Sequence, residues 1–292
     1  MKSNDLQKKK YHIFGVIFQA VCLSANIAVL LFLGAIIVDV FVKGWPTLTS
    51  SLILNFPSRV ASQAGLLSAL VGTFYMMLLT ALIAIPFGVG AAIYLEEYAR
   101  NTWFVRLIKL NILNLAGIPS IIYGMLGLTI FVRYANLERS LLAGACTMAI
   151  LVLPIITIAA QEALRAVPQS FRLSGYGIGM TRWQVIRYQV FPMAASGMIT
   201  GVILALSRAI GESAPLILVG ALTFVSFLPA SPMDSFTVLS IQIYNWVGYP
   251  QKEFHAIAGS GIIVLLILLV LLNLGAIVMR SHFQKKLKGV LK

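Results

Sequence analysis

Residues 72–99 read GTFYMMLLTALIAIPFGVGAAIYLEEYA, and all but the last four belong to a stretch from residue 60 to residue 95 that contains no charged residue. A helix of about 20 apolar residues crosses a bilayer, so this stretch predicts a membrane-spanning helix. The whole chain of 292 residues has the same character: 59% are hydrophobic, 11% are charged and the mean hydropathy is +0.92. Soluble domains have roughly 25% charged residues. The composition therefore excludes a soluble monomer and a disordered chain.

Five uncharged regions are long enough to cross the membrane: residues 13–38, 60–95, 110–132, 140–161 and 256–279. A sixth apolar region, residues 192–228, is interrupted only by Arg208 and Glu212. We therefore predict an all-α polytopic membrane protein with six transmembrane helices. The predicted parts are an N-terminal tail, a membrane region and a basic C-terminal tail, at residues 1–12, 13–280 and 281–292. Residues 229–254 form an outer loop, either a contact for a soluble partner or a plain connection.

The net charge of +13 is explained by where the basic residues lie. Sixteen of the 22 Lys and Arg residues fall in the two tails and in the second and fourth connections, and five fall on the opposite side. Loops rich in Lys and Arg remain in the cytoplasm. We therefore expect a multi-pass protein of the plasma membrane with both termini in the cytoplasm. The basic side meets membrane lipid or protein, and no nucleic acid is expected as a partner.

The chain lacks the common motifs of catalysis and cofactor binding. It has no GxxxxGK[ST] and no HExxH, and its two cysteines do not form a CxxC. The three histidines are far apart in sequence. We therefore expect no catalytic residue, no metal and no cofactor on this chain.

The longest cytoplasmic segment, residues 161–192, has a pattern of its own: QEALRAVPQSFRLSGYGIGMTRWQVIRYQVFP. A first helix is predicted from Pro168, with Phe171 and Ile178 on one face. Three glycines end it, at 175, 177 and 179. Thr181 and Gln184 form a capping box that starts a second helix. Two short amphipathic helices favour a docking element, although a helix pair lying on the lipid surface has the same composition.

This segment resembles the EAA loop of ABC importer permeases, whose pattern is EAA-x3-G-x9-I-x-LP. Gly179 and Pro192 have the spacing of the family's Gly and Pro, and GMTRWQVI is similar to GATKWQTI. The sequence departs from the pattern at 173–175, where Leu-Ser-Gly replaces Glu-Ala-Ala. The resemblance implies that the loop docks on a separate ATP-binding subunit, with Gly179, Thr181, Trp183 and Pro192 as coupling residues.

Arg208 and Glu212 lie inside the fifth predicted span, in LALSRAIGESAPLILVG. A charge in a bilayer costs at least about 2.5 kcal/mol on insertion scales, so such residues normally face a cavity or a partner. Arginine suits tetrahedral oxyanions, and Ser207 and Ser213 add hydroxyl groups nearby. The sequence leaves two possibilities open: a contact with an anionic cargo, or an internal ion pair that holds the bundle. Pro215 predicts a bend just beyond the pair.

Three segments resemble the PstA-type permease subunits of phosphate ABC importers: SRAIGESAP at 207–215, LAGIPSIIYGMLGL at 115–128, and residues 72–99. The resemblance implies the type I ABC importer permease fold and transport of inorganic phosphate ion. It also implies three partners: a PstC-type permease, a PstB-type ATPase dimer that hydrolyses the ATP, and an extracytoplasmic phosphate-binding protein. The alternatives are a permease for phosphonate, sulfate or molybdate, a membrane-embedded enzyme, and an ion channel.

Overall fold

The computed structural model of the protein describes residues 2–221 and 224–290, and in this part of the chain all regular secondary structure is helical. The α-helices are α1 Lys2–Gly44, α2 Ser50–Leu54, α3 Leu67–Ile93, α4 Trp103–Ala116, α5 Ser120–Gly127, α6 Leu141–Arg165, α7 Gln169–Gly177, α8 Arg182–Val185, α9 Phe191–Gly211, α10 Ala214–Val219, α11 Leu239–Gly248 and α12 Lys252–Val290. Three wider π-helical turns continue α3, α5 and α8: Tyr94–Tyr98, Leu128–Tyr134 and Ile186–Val190.

Five helical runs of the described chain are long and apolar enough to cross a membrane: Gly15–Thr47, Leu67–Tyr98, Leu141–Arg165, Arg182–Gly211 and Lys252–Gly275. Each overlaps one of the six predicted regions. The all-α polytopic fold is therefore confirmed, and a sixth span exists if the bent pair described next is counted as one.

The span predicted over residues 110–132 is not one continuous helix. The chain forms α4 and α5 here, and the two helices meet at an angle of 102°. The break contains Gly117 and Pro119, and a proline disfavours helical geometry at the residue before it. α4 has Trp103 and Phe104 exposed on one side and the basic residues Arg106 and Lys109 on another. Such an amphipathic helix fits the membrane boundary.

The apolar region 192–228 is likewise not one helix. α9 ends at Gly211, and Glu212 has extended geometry at φ −78°, ψ 123°. The chain then turns into α10, with Pro215 in its first turn, and α10 ends at Gly220 with φ +104°. The break lies at Glu212 and Ser213, at the end of the charged pair and two residues before Pro215, where the sequence predicted a bend. Arg208 and Glu212 are therefore not on one helix face.

α6 is the central helix of the bundle, packed between α3 and α9. The side of α9 that faces α6 carries Gly197 and Gly201, a GxxxG pair that suits close helix approach in membranes. A Cβ atom at Gly197 would lie 2.9 Å from Cβ of Ala163, and one at Gly201 would collide with Ala159. The two glycines therefore allow the backbones of α9 and α6 to touch.

Residues 229–254 are folded into the bundle. Phe236 and Trp246 are fully buried, the second of them on α11. The backbone N–H of Leu141 donates to the carbonyl of Asp234 at 2.9 Å, and that of Leu239 donates to Thr73 Oγ1 at 2.9 Å. The segment thus returns between the ends of α3 and α6 before α12 begins.

α1 contacts the bundle mainly through α12. The backbones of Gly44 and Gly259 touch, and Ser260 Oγ donates to the carbonyl of Gly44 at 2.6 Å. In the most apolar 18 residues of the span Gly15–Thr47, no residue is buried against the rest of the described chain. Most of the α1 surface is thus left for lipid or for another subunit.

Candidate functional site

The pair of charges inside the membrane region is formed where α9 ends. Arg208 lies in the last turn of α9, and its Nε is 3.6 Å from Glu212 Oε1. This distance is too long for a hydrogen bond, but it brings opposite charges together. The Arg208 side chain is 55% exposed and that of Glu212 is 20% exposed. The guanidinium group is therefore held near a carboxylate while its N–H groups remain open to a ligand.

The two serines do not both join this pair. Ser207 Oγ donates to Asn273 Oδ1 of α12 at 3.0 Å, so its hydroxyl group links two helices. Ser213 is the residue before α10, and its side chain does not cap that helix. A serine of α11 reaches the site instead, because Ser240 Oγ donates to the carbonyl of Glu212 at 3.4 Å. The sequence analysis missed Ser240 and Asn273, although an asparagine in the apolar run LLNLG is a visible signal.

The connection after α6 forms a compact helical element, the coupling loop (residues 167–190). Gly179 has φ +83°, a conformation that glycine adopts without strain, and a Cβ there would meet no atom within 4 Å. The predicted capping box is confirmed: Thr181 N–H donates to Gln184 Oε1 at 2.8 Å, and Gln184 N–H donates to Thr181 Oγ1 at 3.4 Å. The box starts α8 at the position expected from the sequence.

Two details of this loop differ from the prediction. Phe171 packs against the buried cluster around α6 and α9, whereas Ile178 lies beyond the end of α7 and is 74% exposed. The second helix is also not separate, since Arg182–Gly211 is one helical run of 30 residues. Pro192 lies in the first turn of α9. Its ring crowds the carbonyl of Tyr188, and the π-helical turn that contains Tyr188 accommodates it.

A buried ion pair fixes the coupling loop to the bundle. Arg172 of α7 donates through Nη2 to Glu97 Oε1 at 2.7 Å, and its guanidinium group also donates to the carbonyls of Leu164 and Val167 at 2.9 and 2.7 Å. Glu97 is 6% exposed. The pair joins the ends of α3 and α6 to α7 and so fixes α7 against the bundle. The sequence analysis did not find it, because the partners are 75 residues apart.

The neighbouring carboxylate forms a second ionic cluster. Glu96 accepts from Lys109 Nζ at 2.8 Å and from both Nε and Nη2 of Arg165, at 3.0 and 2.7 Å. The guanidinium group of Arg182 lies 5.3 Å above the ring of Tyr98. Glu96 and Glu97 line a polar cavity of about 510 Å³ together with Val167, Pro168, Gln169, Tyr176 and three arginines, Arg165, Arg172 and Arg182. The base of the coupling loop is therefore a network of charges.

The structure is thus a helical membrane bundle with a pair of charges inside it and a helical loop firmly attached at one end. The family model described as "Binding-protein-dependent transport system inner membrane component" matches residues 84–289. The chain belongs to this family. It is a multi-pass inner membrane protein and a permease subunit of an ABC importer, a class in which the permease works with a partner permease and a binding protein.

Several curated relatives match over most of their length. The chain is 31% identical to the "Probable ABC transporter permease protein YqgI" of Bacillus subtilis, covering 87% of this chain and 92% of the relative. It is 30% identical to the "Phosphate transport system permease protein PstA" of Pasteurella multocida, covering 87% and 88%. It is also 32% identical to the "Phosphate transport system permease protein PstC" of Mesorhizobium japonicum, covering 72% and 73%.

Solved structures share the fold at low sequence identity. A chain of the MetNI methionine ABC transporter in an inward-facing conformation superposes with a TM-score of 0.57 at 20% identity, covering 74% of this chain and 93% of that one. A chain of a bacterial alginate ABC transporter in complex with a pentasaccharide-bound periplasmic protein gives 0.64 at 14%, covering 89% and 92%. The predicted type I importer permease fold is thereby confirmed.

Proposed function

We propose that the chain is the PstA-type permease subunit of an importer of inorganic phosphate. The observation that carries this proposal is Arg208, whose guanidinium group is open to a ligand near Glu212 in the segment SRAIGESAP. An arginine offers five N–H donors in a plane that matches the oxygens of a phosphate. Glu212 orients the guanidinium group until the anion arrives. Ser207 and Ser213 support the ends of the two helices beside the path.

The other parts of the importer follow from the surfaces that the chain presents. The exposed side chains of Leu173, Ile178 and Trp183 on the coupling loop form the docking surface for a PstB-type ATPase dimer, which hydrolyses the ATP. A PstC-type permease completes the path beside Arg208, and relatives of both the PstA and PstC kinds support such a pair. A phosphate-binding protein delivers the ion from outside. In this arrangement both termini lie in the cytoplasm, on the same side as the coupling loop, as the distribution of Lys and Arg predicts.

Uptake of radiolabelled phosphate by cells that lack their own importer tests the cargo. Arg208→Gln removes the charge with little change in side-chain length, and we expect uptake to fall at least about a hundredfold because a charge-assisted contact is lost. The amount of the variant in the membrane should be unchanged. Arg59→Gln, which changes an exposed arginine in the segment before α3, is the matched control. Normal uptake by Arg208→Gln would refute the role of this residue.

Competition separates phosphate from other oxyanions, because a single arginine binds several of them. Excess unlabelled phosphate should abolish uptake by the wild-type importer, while sulfate, molybdate and phosphonate should not reduce it. Uptake that one of these three anions inhibits as strongly as phosphate does would assign the importer to that anion.

A further inference from the structure

A second basic cavity lies between α4 and α6, away from Arg208. Its volume is about 400 Å³, and it is lined by Arg106, Lys109, Leu110, Leu113, Ile158, Gln161, Glu162 and Arg165. α4 supplies one wall and the last turns of α6 supply the other. The cavity is at the same end of the bundle as the coupling loop, since Arg165 lies just before the loop begins. The lining contains both charged side chains and aliphatic side chains.

The charges around the cavity leave one positive charge in excess. Arg106, Lys109 and Arg165 are basic, whereas Glu162 lines the cavity and Glu96 bridges Lys109 and Arg165. Within the residues that the structure describes, Arg106 makes no ion pair. The surplus therefore matches a ligand with a single negative charge, such as a phosphodiester.

Gln161 provides an independent sign that a ligand belongs here. The residue is only 6% exposed, and its side-chain Nε2 finds no hydrogen-bond partner among the described residues. Buried polar groups in folded proteins nearly always have a partner, because an unpaired buried donor costs about 1 to 3 kcal/mol of stability. Gln161 also lines the cavity, so a rotation of its side chain would bring this donor to an acceptor oxygen of a ligand there.

The aliphatic wall indicates what kind of molecule carries the charge. Leu110, Leu113 and Ile158 line the cavity beside the basic groups. The exposed rings of Trp103 and Phe104 at the start of α4 are typical of a helix at the membrane boundary. A free phosphate ion would leave the aliphatic wall unused, whereas a phospholipid has acyl chains to cover it.

We propose that this cavity binds the headgroup of an anionic phospholipid, with its phosphodiester between Arg106 and Lys109 and its acyl chains along Leu110 and Leu113. Basic pockets between helices at the cytoplasmic side of membrane proteins bind such headgroups. The lipid holds α4 against α6 next to Glu96, and so it steadies the base of the coupling loop. This site does not depend on which cargo the importer carries.

Native mass spectrometry of the purified importer measures the bound lipid. The protein is equilibrated with phosphatidylglycerol or with phosphatidylcholine, and retained lipid is counted. We expect phosphatidylglycerol to be retained and Arg106→Gln to weaken its retention about fivefold, the usual effect of one basic residue near an anionic lipid. Arg106 makes no ion pair in the described chain, so the variant should fold, and a monodisperse elution profile checks this. Arg59→Gln, an exposed arginine far from the cavity in sequence, should retain lipid like the wild type.

Three results would overturn the proposal. The first is equal retention of phosphatidylglycerol by Arg106→Gln and wild type. The second is equal retention of the neutral and the anionic lipid by the wild type. The third is displacement of the lipid by millimolar inorganic phosphate, which would assign the cavity to the free ion instead.

Discussion

At the scale of single residues, the described structure separates two kinds of charge. The Arg208 side chain is more than half exposed, and its only carboxylate contact is the 3.6 Å approach of Glu212. A charge in a bilayer stays exposed in one subunit only when a cavity or another subunit covers it. The Arg172 guanidinium group, by contrast, is satisfied within the chain by Glu97 and two carbonyl groups. The open guanidinium group of Arg208 suits the binding of a ligand, whereas the satisfied one of Arg172 suits the attachment of one helix to another.

The Glu97–Arg172 pair should contribute strongly to stability. Glu97→Ala leaves the buried guanidinium group unpaired, and we expect unfolding free energy to fall by about 3 kcal/mol. Thermal unfolding in detergent measures this change. The control is Asp39→Ala, which breaks the Asp39–Lys43 pair whose side chains are 58% and 63% exposed, and such pairs contribute about 1 kcal/mol or less. Equal stability of Glu97→Ala and Asp39→Ala would show that the buried pair is not structural.

At the scale of helices, the contact between α9 and α6 depends on the absence of side chains. Gly201→Ala places a methyl group against Ala159, and we expect a loss of about 1 to 3 kcal/mol from overpacking. Gly90→Ala on α3 is the matched control, because a Cβ there meets no atom within 4 Å. Folded yield and melting temperature should fall for Gly201→Ala only. An unchanged melting temperature for Gly201→Ala would show that α9 and α6 can move apart without loss of stability, and that the close contact is not required.

The turn at Gly179 can be tested separately from crowding. Gly179→Ala keeps the surrounding space open but forces an alanine to φ +83°, which costs about 1 kcal/mol or more. We expect the loop to change its conformation and to retain less ATPase when the complex is purified. Gly177→Ala also enters open space, but this glycine lies inside α7 without a positive φ. ATPase recovery that is equal for the two variants would argue against a role for the turn.

The sequence predicted several helical features that depend on neighbouring residues. The capping box of Thr181 and Gln184 and the bend near Pro215 are local, and both were found. The direction change at Gly117–Pro119 is also a local signal, but it was missed because the spans were identified from the length of uncharged runs alone. Features that depend on distant contacts could not be predicted. The Glu97–Arg172 pair required knowledge of which helix ends meet, which one sequence does not contain.

At the scale of the whole molecule, the placement of basic residues makes a prediction about topology. Both termini should be cytoplasmic, since most Lys and Arg residues lie on that side. A fluorescent protein fused after Lys292 should fluoresce, and alkaline phosphatase fused at the same position should be inactive. Fusions within the 229–254 segment should give the reverse pattern. Active phosphatase at the C-terminus would place that terminus outside the cytoplasm and contradict the predicted topology.

The uninterrupted run from Arg182 to Gly211 has a mechanical consequence. Trp183 and Arg208 are separated by 25 residues, about 38 Å along a helix at 1.5 Å per residue. The contact of Gly197 and Gly201 with α6 lies between them, about two thirds of the way along. Val185, Val190 and Met198 are buried in the same cluster as Leu164 of α6, so the half of the run nearer to Trp183 is held against the bundle. One continuous helical run therefore joins Trp183 to Arg208, and a displacement of either end reaches the other without crossing a flexible connection.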